Sequence, residues 1–193
     1  MTKTYNFSKD SWDFNDFMYV YSPVCKAYKE FIQLDNCIAN SYNEQIGDWD
    51  YISIVTKQKY TAGTKVSTKC SFDKFGAPLI VFTNDIRSVD GRNEYVLHFE
   101  AVAYENGFNV WHIVPWPERT ERPIKPTKIC FEEFKVEDGS VVDLAVEFKQ
   151  KVISVTVNGV TAEVANDDMP DSFHVGITAC EGVNKFYDLI IED

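Results

Sequence analysis

Apolar and polar residues alternate along most of this chain with a period of two rather than 3.6. Across residues 65–72, Val66, Thr68, Cys70 and Phe72 oppose Lys65, Ser67, Lys69 and Ser71, so one side of a strand meets a core and the other meets water. The same division sets Val142, Leu144, Val146 and Phe148, and then Ile153, Val155 and Val157, apart from their neighbours. The pattern predicts strands over 4–7, 17–21, 51–57, 65–72, 79–83, 94–104, 108–114, 129–136, 141–149, 152–157, 160–164, 173–179 and 186–191. Only 24–34 reads as a short helix. Turn signals fall between the strands at Asp73-Lys74-Phe75-Gly76, Asp90-Gly91, Asn106-Gly107, Asp138-Gly139 and Asn158-Gly159. The last is the strongest, because Asn and Gly tolerate the positive φ that a two-residue hairpin turn demands at both positions. So many short strands joined by turns predict an all-β fold, a two-sheet antiparallel β-sandwich of the jelly-roll type.

Composition narrows the class. With 193 residues, 45% hydrophobic and 15% aromatic, the chain suits one core-bearing domain spanning 1–193. Thirty acidic residues against 19 basic give a net charge of -11, a field that repels phosphate backbones and argues against a nucleic-acid partner. No segment approaches the ~20 apolar residues needed to span a bilayer. The start, MTKTYNFSKDSWDF, lacks a basic stretch followed by an apolar one, so the expectation is a cytoplasmic protein without membrane contact. Five cysteines, Cys25, Cys37, Cys70, Cys130 and Cys180, are scattered, odd in number and never spaced Cys-x-x-Cys. They read as reduced core thiols rather than a disulfide framework or a zinc site. Residues 115–126, PWPERTERPIKP, form the one long loop expected.

From Lys151 onward the chain runs through the Asn158-Gly159 hairpin, Pro170, Phe173-His174-Val175-Gly176-Ile177, Glu181-Gly182 and Asn184-Lys185-Phe186-Tyr187-Asp188. This run resembles the final strands of concanavalin A-like lectin/glucanase sandwiches, which include laminin-G-like domains and glycoside-hydrolase-type jelly rolls. The resemblance implies a ligand lying across the concave face of one curved sheet, and a first strand (4–7) beside the last (186–191). Enzymes and binders share this architecture, so it leaves the activity open.

The long hairpin 94–114 is where that ligand face falls. A two-residue turn at Asn106-Gly107 pairs Glu105 with Phe108, Tyr104 with Asn109, Val102 with Trp111 and Glu100 with Ile113. Tyr95, Leu97, Phe99, Ala101, Ala103, Val110 and Val114 then share an apolar core face. His98, Glu100, Tyr104, Asn109 and Trp111 lie opposite, interrupted by Val102 and Ile113. That mixture suits a sugar, whose C–H face packs on Trp or Tyr and whose hydroxyls need acceptors and donors such as Glu, Asn and His. The alternative is a solvated strand face with incidental aromatics, and a one-residue slip would turn Trp111 inward and His112 outward.

Catalysis is a second possibility. Laminarinase-type hydrolases of this superfamily carry Glu-x-Asp-x-(x)-Glu on the active strand, supplying a nucleophile and a general acid. Here the nearest match is Glu100-Ala101-Val102-Ala103-Tyr104-Glu105, with Val102 in place of the Asp and Glu105 expected to point away from Glu100. Glu100 and His98 form a candidate acid/base pair, and the 115–126 loop offers Trp116, Arg119 and Arg122 as a wall able to fork onto a uronic carboxylate. The lyase signatures Gln-Ile-His and Tyr-Phe-Lys-Ala-Gly are absent, and a solvated basic loop explains the arginines equally.

His112 and His174 have no second ligand at metal spacing, so no metal site is expected. Asp167-Asp168 is either a calcium-type carboxylate pair or an exposed acidic turn. Glu181-Gly182 reads as structural, and Trp12, Phe14, Phe17, Tyr19 and Tyr21 as inner-face residues, while Trp49 precedes the 51–57 strand at the rim of the ligand sheet. The sequence thus points to recognition of an oligosaccharide or polysaccharide fragment by Tyr104, Asn109, Trp111, Trp116 and Arg119, without a cofactor. The alternatives are a hydrolase or lyase using Glu100 and His98 and, third, a protein-interaction module with a large exposed apolar patch.

Overall fold

The computed structural model describes residues 1–25, 27–40 and 51–193. In chain order the strands are β1 Thr2–Asn6, β2 Phe17–Tyr19, β3 Ile32–Gln33, β4 Ile38–Ala39, β5 Tyr51–Thr56, β6 Tyr60–Thr61, β7 Lys65–Asp73, β8 Ala77–Thr83, β9 Ile86–Val89 and β10 Arg92–Tyr95. They continue with β11 His98–Tyr104, β12 Gly107–Pro115, β13 Ile124–Glu133, β14 Val141–Lys149, β15 Val152–Val157, β16 Val160–Ala165, β17 Ser172–Cys180, β18 Val183–Phe186 and β19 Asp188–Glu192. A nine-stranded back sheet runs β16-β15-β14-β7-β18-β4-β3, with β19 beside β7 and β1 beside β19. An eight-stranded front sheet runs β13-β12-β11-β8-β17-β5-β2, with β6 also on β17. The strand ladders are antiparallel, and β9 and β10 form a small separate hairpin. This is the two-sheet jelly-roll sandwich that the alternation predicts.

The core fills the space between the sheets. Phe82 of β8 stacks on Phe99 of β11 with ring centroids 5.0 Å apart and meets Phe148 of β14 edge-on at 4.9 Å. Phe148 in turn packs on Phe173 of β17 at 4.2 Å, so front and back sheets share one aromatic cluster. Each of these rings is at most 3% exposed, and burying a side chain of this size stabilises the fold by about 1.5–3 kcal/mol. The alternating strands orient as read: Val66, Cys70, Phe72, Val142, Leu144, Val146, Ile153, Val155 and Val157 all join the inter-sheet core.

The turns follow backbone chemistry. Asn158 and Gly159 both take positive φ (49° and 85°), and Val157 faces Val160 across the hairpin. β1 lies against β19, from Thr2 opposite Glu192 to Asn6 opposite Asp188. None of the five cysteines is joined in a disulfide, and no helix among the described residues is long and apolar enough to cross a membrane.

Three elements differ from expectation. The strand expected over 94–104 is split into β10 and β11, and Tyr95, expected on the core face with Phe99, belongs to a separate buried cluster. The described part of 24–34 is extended rather than helical: Ile32 and Gln33 pair with Ala39 and Ile38. The Gln33 amide reaches the carbonyls of Phe7, Leu34 and Cys37, backbone acceptors that helix formation would spend elsewhere. β13 starts at Ile124, not at 129, so the Pro-rich loop shrinks to the residues between Pro115 and Ile124 and is closed by Trp116 N–H donating to the Pro123 carbonyl.

Two tests follow from this packing. A Cβ on Gly176, in the middle of β17, would stand 1.8 Å from the Ile54 carbonyl oxygen of the neighbouring strand, so Gly176→Ala is expected to destabilise by about 3 kcal/mol or more in urea denaturation. An unchanged midpoint would mean that the two strands do not approach this closely. Burial holds the imidazoles of His112, stacked on Phe99, and His174, hydrogen-bonded to the Thr56 carbonyl, below the ordinary histidine value. The unfolded chain then binds more protons than the folded one below pH ~6.5, so stability is full above that pH and declines as pH falls through the folded values. The double variant His112→Gln/His174→Gln is expected to flatten that part of the pH–stability curve, and an unchanged slope would place its origin in other groups.

Candidate functional site

Strand β11 sends Phe99, Ala101 and Ala103 into the inter-sheet core and His98, Glu100, Val102 and Tyr104 to the opposite face. On that outer face Val20, Tyr51, Val55, Leu79, Val81, Tyr95 and Val102 form a second buried apolar cluster, with Trp111 packed against its edge. The front sheet is therefore covered on both sides. Above the second cluster opens a cleft of ≈ 400 Å³ lined by His98, Glu100, Tyr104, Asn109 and Trp111. All five residues expected on the ligand face come together there.

The hairpin register behind this differs in detail. Tyr104 lies opposite Gly107, Val102 opposite Asn109 and Glu100 opposite Trp111, so the turn residues are Glu105 and Asn106 rather than Asn106 and Gly107. The pairing is offset by two positions from the expected one, and a shift of two leaves every side chain on its face. Gly107 has φ 119°, and a Cβ there would meet the Glu132 carbonyl oxygen of β13 at 2.0 Å, so close backbone approach fixes the turn here. On the other side, β13 slips by one residue between its partners for Val110 and Trp111, which are Cys130 and Lys128. Lys128 Nζ comes to 5.2 Å from the Trp111 ring.

Glu100 is the chemical centre of the cleft. Its carboxylate is set in the apolar floor, the residue only 7% exposed, and Oε1 accepts a hydrogen bond from the Tyr51 hydroxyl. His98 Nε2 lies 3.3 Å from the same oxygen. Burial, reinforced by the Glu100 charge, raises the Tyr51 hydroxyl well above the usual tyrosine value, which keeps it a neutral donor. The His98 ring stacks on Tyr95 at 4.5 Å, and the Tyr95 and Thr178 hydroxyls each sit 2.6 Å from Ser53 Oγ. A hydrogen-bonded layer beneath the floor thus fixes the ring that in turn faces Glu100.

Two buried polar atoms of cleft-lining residues lack a hydrogen-bond partner. With Nε2 directed at Glu100, His98 Nδ1 is buried without a partner, and so is Asn109 Oδ1. The Asn109 side chain also hydrogen-bonds Tyr104, whose hydroxyl is raised by burial, with that bond opposing the rise. Buried polar atoms without partners are uncommon in folded proteins, and their gathering beside one cleft suits a polar ligand able both to donate and to accept hydrogen bonds.

The remaining candidates are dispersed. Trp116 is exposed, with the Arg119 guanidinium 5.6 Å above its ring and Arg119 N–H donating to the Trp116 carbonyl. This pair sits on the loop after β12 and does not line the cleft, whereas Arg122 does. Glu105, expected to point away, lines the cleft because it occupies the turn, where strand alternation no longer applies. Asp168 pairs with His112 at 3.5 Å, and among the described residues no group of three or more His, Cys, Asp or Glu side chains is placed to hold a metal ion. Trp49 lies outside the described residues. Gly182 has φ 38° in the turn between β17 and β18, and Glu181 beside it lines the cleft.

Sequence reasoning missed Tyr51, Phe75 and Glu181 as cleft residues. Tyr51 begins a strand whose six residues are all buried, so no polar alternation marks its ligand-facing side. Phe75 and Glu181 are turn residues, whose direction a period-two pattern does not report.

No protein-family model and no curated sequence matches the chain. Solved structures do. A carbohydrate-binding module of family 66 from Bacillus subtilis superposes with a TM-score of 0.65 at 8% identity, covering 92% of this chain and 96% of that one. A laminarinase from Flavobacterium sp. UMI-01 does so with a TM-score of 0.59 at 9% identity, covering 99% of both chains. An inactivated beta-agarase B in complex with agaro-octaose gives 0.64 at 9% identity, over 98% of this chain and 93% of that one. At such identities the likeness speaks for architecture alone, and it agrees with the strand order: the chain folds as a concanavalin A-like jelly-roll sandwich.

Proposed function

We propose that the cleft on the front sheet binds a neutral oligosaccharide, with Trp111 as the stacking platform and Glu100, Asn109, His98 and Tyr104 as the polar contacts. The observation that carries this reading is the meeting of a half-buried Trp111 with the unpartnered polar atoms of His98 and Asn109 in one cleft. At ≈ 400 Å³ the cleft falls within the range of small-ligand sites, about 300–1,000 Å³. Carboxylates at Glu100, Glu105 and Glu181 face a single lining guanidinium, Arg122, so hydroxyl donors suit the cleft better than a uronate. Similar folds described as a carbohydrate-binding module and as an agarase in complex with agaro-octaose support the same ligand class. Trp116 and Arg119 enter this reading only as contacts for a ligand long enough to leave the cleft. The thiol form of all five cysteines supports placing the binding in a reducing compartment such as the cytoplasm.

A hydrolytic reading is favoured by one observation, the presence of Glu105 beside Glu100 in the cleft lining. A retaining hydrolase needs two carboxyl groups about 5–5.5 Å apart and an inverting one about 6.5–9.5 Å, with a glycosidic bond between them. His98 then serves to position Glu100 rather than to act on the substrate.

Native mass spectrometry of the protein with neutral and uronic-acid oligosaccharides separates these readings in one experiment. Intact adducts with neutral sugars are expected; fragments heavier by one water would establish hydrolysis, and unsaturated fragments a lyase. Trp111→Ala is expected to weaken the adduct at least about tenfold, which is about 1.4 kcal/mol, while the protein stays folded. If that variant unfolds instead, Trp111 is a core residue and the platform assignment fails. Tyr51→Phe removes the hydroxyl donor from a buried carboxylate and is expected to cost about 1–3 kcal/mol in urea denaturation. An unchanged midpoint would show that Tyr51 does not hold the Glu100 charge.

A further inference from the structure

The corner that carries the chain from β7 in the back sheet to β8 in the front sheet has an unusual composition. Asp73–Gly76 is closed by Gly76 N–H donating to the Asp73 carbonyl at 3.0 Å, and its two central residues both take left-handed φ, Lys74 at 51° and Phe75 at 66°. Positive φ at both central positions is the pattern that Asn-Gly or Gly-Gly normally supplies, because a Cβ crowds the following carbonyl there. Phe75 is among the least suited residues for the second position, and it gains no burial in compensation, being 75% exposed. A bulky residue held at positive φ is an outlier that points toward function.

The surroundings impose this conformation. A Cβ on Gly182 would stand 2.2 Å from Gly76 N and 2.5 Å from the Lys74 carbonyl oxygen, and one on Gly76 would stand 2.5 Å from the Val183 carbonyl oxygen. The corner is pressed backbone to backbone against the turn between β17 and β18, so the backbone fixes the direction in which the Phe75 side chain leaves the corner. What it is aimed at is the cleft, which it lines together with Glu100 and Trp111.

We infer that Phe75 is a second aromatic platform of the same cleft and that the ligand is an extended saccharide long enough to reach both rings. This rests on the saccharide reading above. The separation follows from the ladder. Trp111 lies opposite Glu100, Glu100 lies opposite Val81, and Ala77, the first strand residue after the Phe75 corner, is four residues from Val81, about 13 Å along β8. Two interstrand spacings, about 10 Å, separate β12 from β8 across the sheet. One pyranose ring does not contact both aromatics, whereas a chain of several does. Phe75 thus sets a preference for ligand length, and its strained backbone is the cost of holding an aromatic ring in water at the rim.

The test uses the full chain and four neutral hexasaccharides (cello-, laminari-, malto- and chitohexaose) with their disaccharides, titrated by calorimetry against wild type, Phe75→Gly and Phe75→Trp. Phe75→Gly relieves the left-handed strain and is expected to raise the melting temperature by about 2 °C while weakening hexasaccharide binding about fivefold or more. Disaccharide affinity should stay the same, and Phe75→Trp should retain the hexasaccharide affinity. A hexasaccharide affinity unchanged in Phe75→Gly, or a fall in its melting temperature, overturns the role of Phe75 and leaves the saccharide site standing. A wild-type protein that binds none of the eight sugars overturns the saccharide reading itself and this role with it.

Discussion

The central strands of the front sheet, β5, β8, β11 and β17, are covered on both faces, and the site is a consequence of how that double cover is made. On the inner face the back sheet supplies it through Phe148 and its neighbours. On the outer face the cover among the described residues is smaller: Val20, Tyr51, Leu79 and Val102, with Tyr95 from the small β9–β10 hairpin, make an apolar floor of their own. A carboxylate placed in such a floor loses much of its hydration, at a cost of several kcal/mol unless donors replace the lost water. Tyr51 and His98 replace part of it for Glu100. Their own positions are set by the Tyr95, Ser53 and Thr178 contacts, which draw on β10, β5 and β17 at once. A charge held by side chains from several strands cannot move without moving the sheet, and that rigidity suits recognition of a ligand by fixed acceptors.

How far the sequence shows this depends on which physical signal each residue leaves. Strands with one wet face, such as β7 and β14, announce themselves by alternation, and the Asn158-Gly159 hairpin by its need for positive φ. The faces of β11 and β12 are legible for the same reason, and they stay correct although the turn lies one residue earlier than expected, because the pairing changed by two and the pleat repeats every two. The signal fails where both faces are buried. Tyr51 and Ser53 sit among Ile52, Ile54 and Val55 with nothing to show that Tyr51 faces a cleft and Ser53 the hydrogen-bonded layer beneath it. It fails again at turns, where Glu105, Phe75 and Glu181 enter the site from corners whose direction depends on contacts distant in sequence, such as Gly182 against Gly76. The loop at 116–123 looks longer in sequence because Lys125, Pro126 and Lys128 resemble loop residues; β13 is an edge strand, where Pro and Lys are tolerated.

Val102 is where the binding and hydrolytic readings part. In the Glu-x-Asp-x-x-Glu arrangement the middle carboxylate stands on the same strand face as the first, two residues on. Here that position holds Val102, 7% exposed, opposite Leu79 of β8 and within the apolar floor. An acid there would be desolvated by the same cluster and would stand next to the Glu100 charge, a combination that drives one of the two carboxyl groups to protonate. With Val102 in place, Glu100 has an apolar neighbour on one side and the Tyr51 and His98 donors on the other, which favours a single fixed acceptor over a shared proton. An apolar floor also suits a sugar's C–H face, so on the proposed saccharide reading the residue that breaks the hydrolase pattern adds to the apolar surface beside Trp111. On the proposed saccharide reading, Val102 thus removes the second carboxylate that cleavage would draw on and leaves an apolar surface against which an intact ligand can pack.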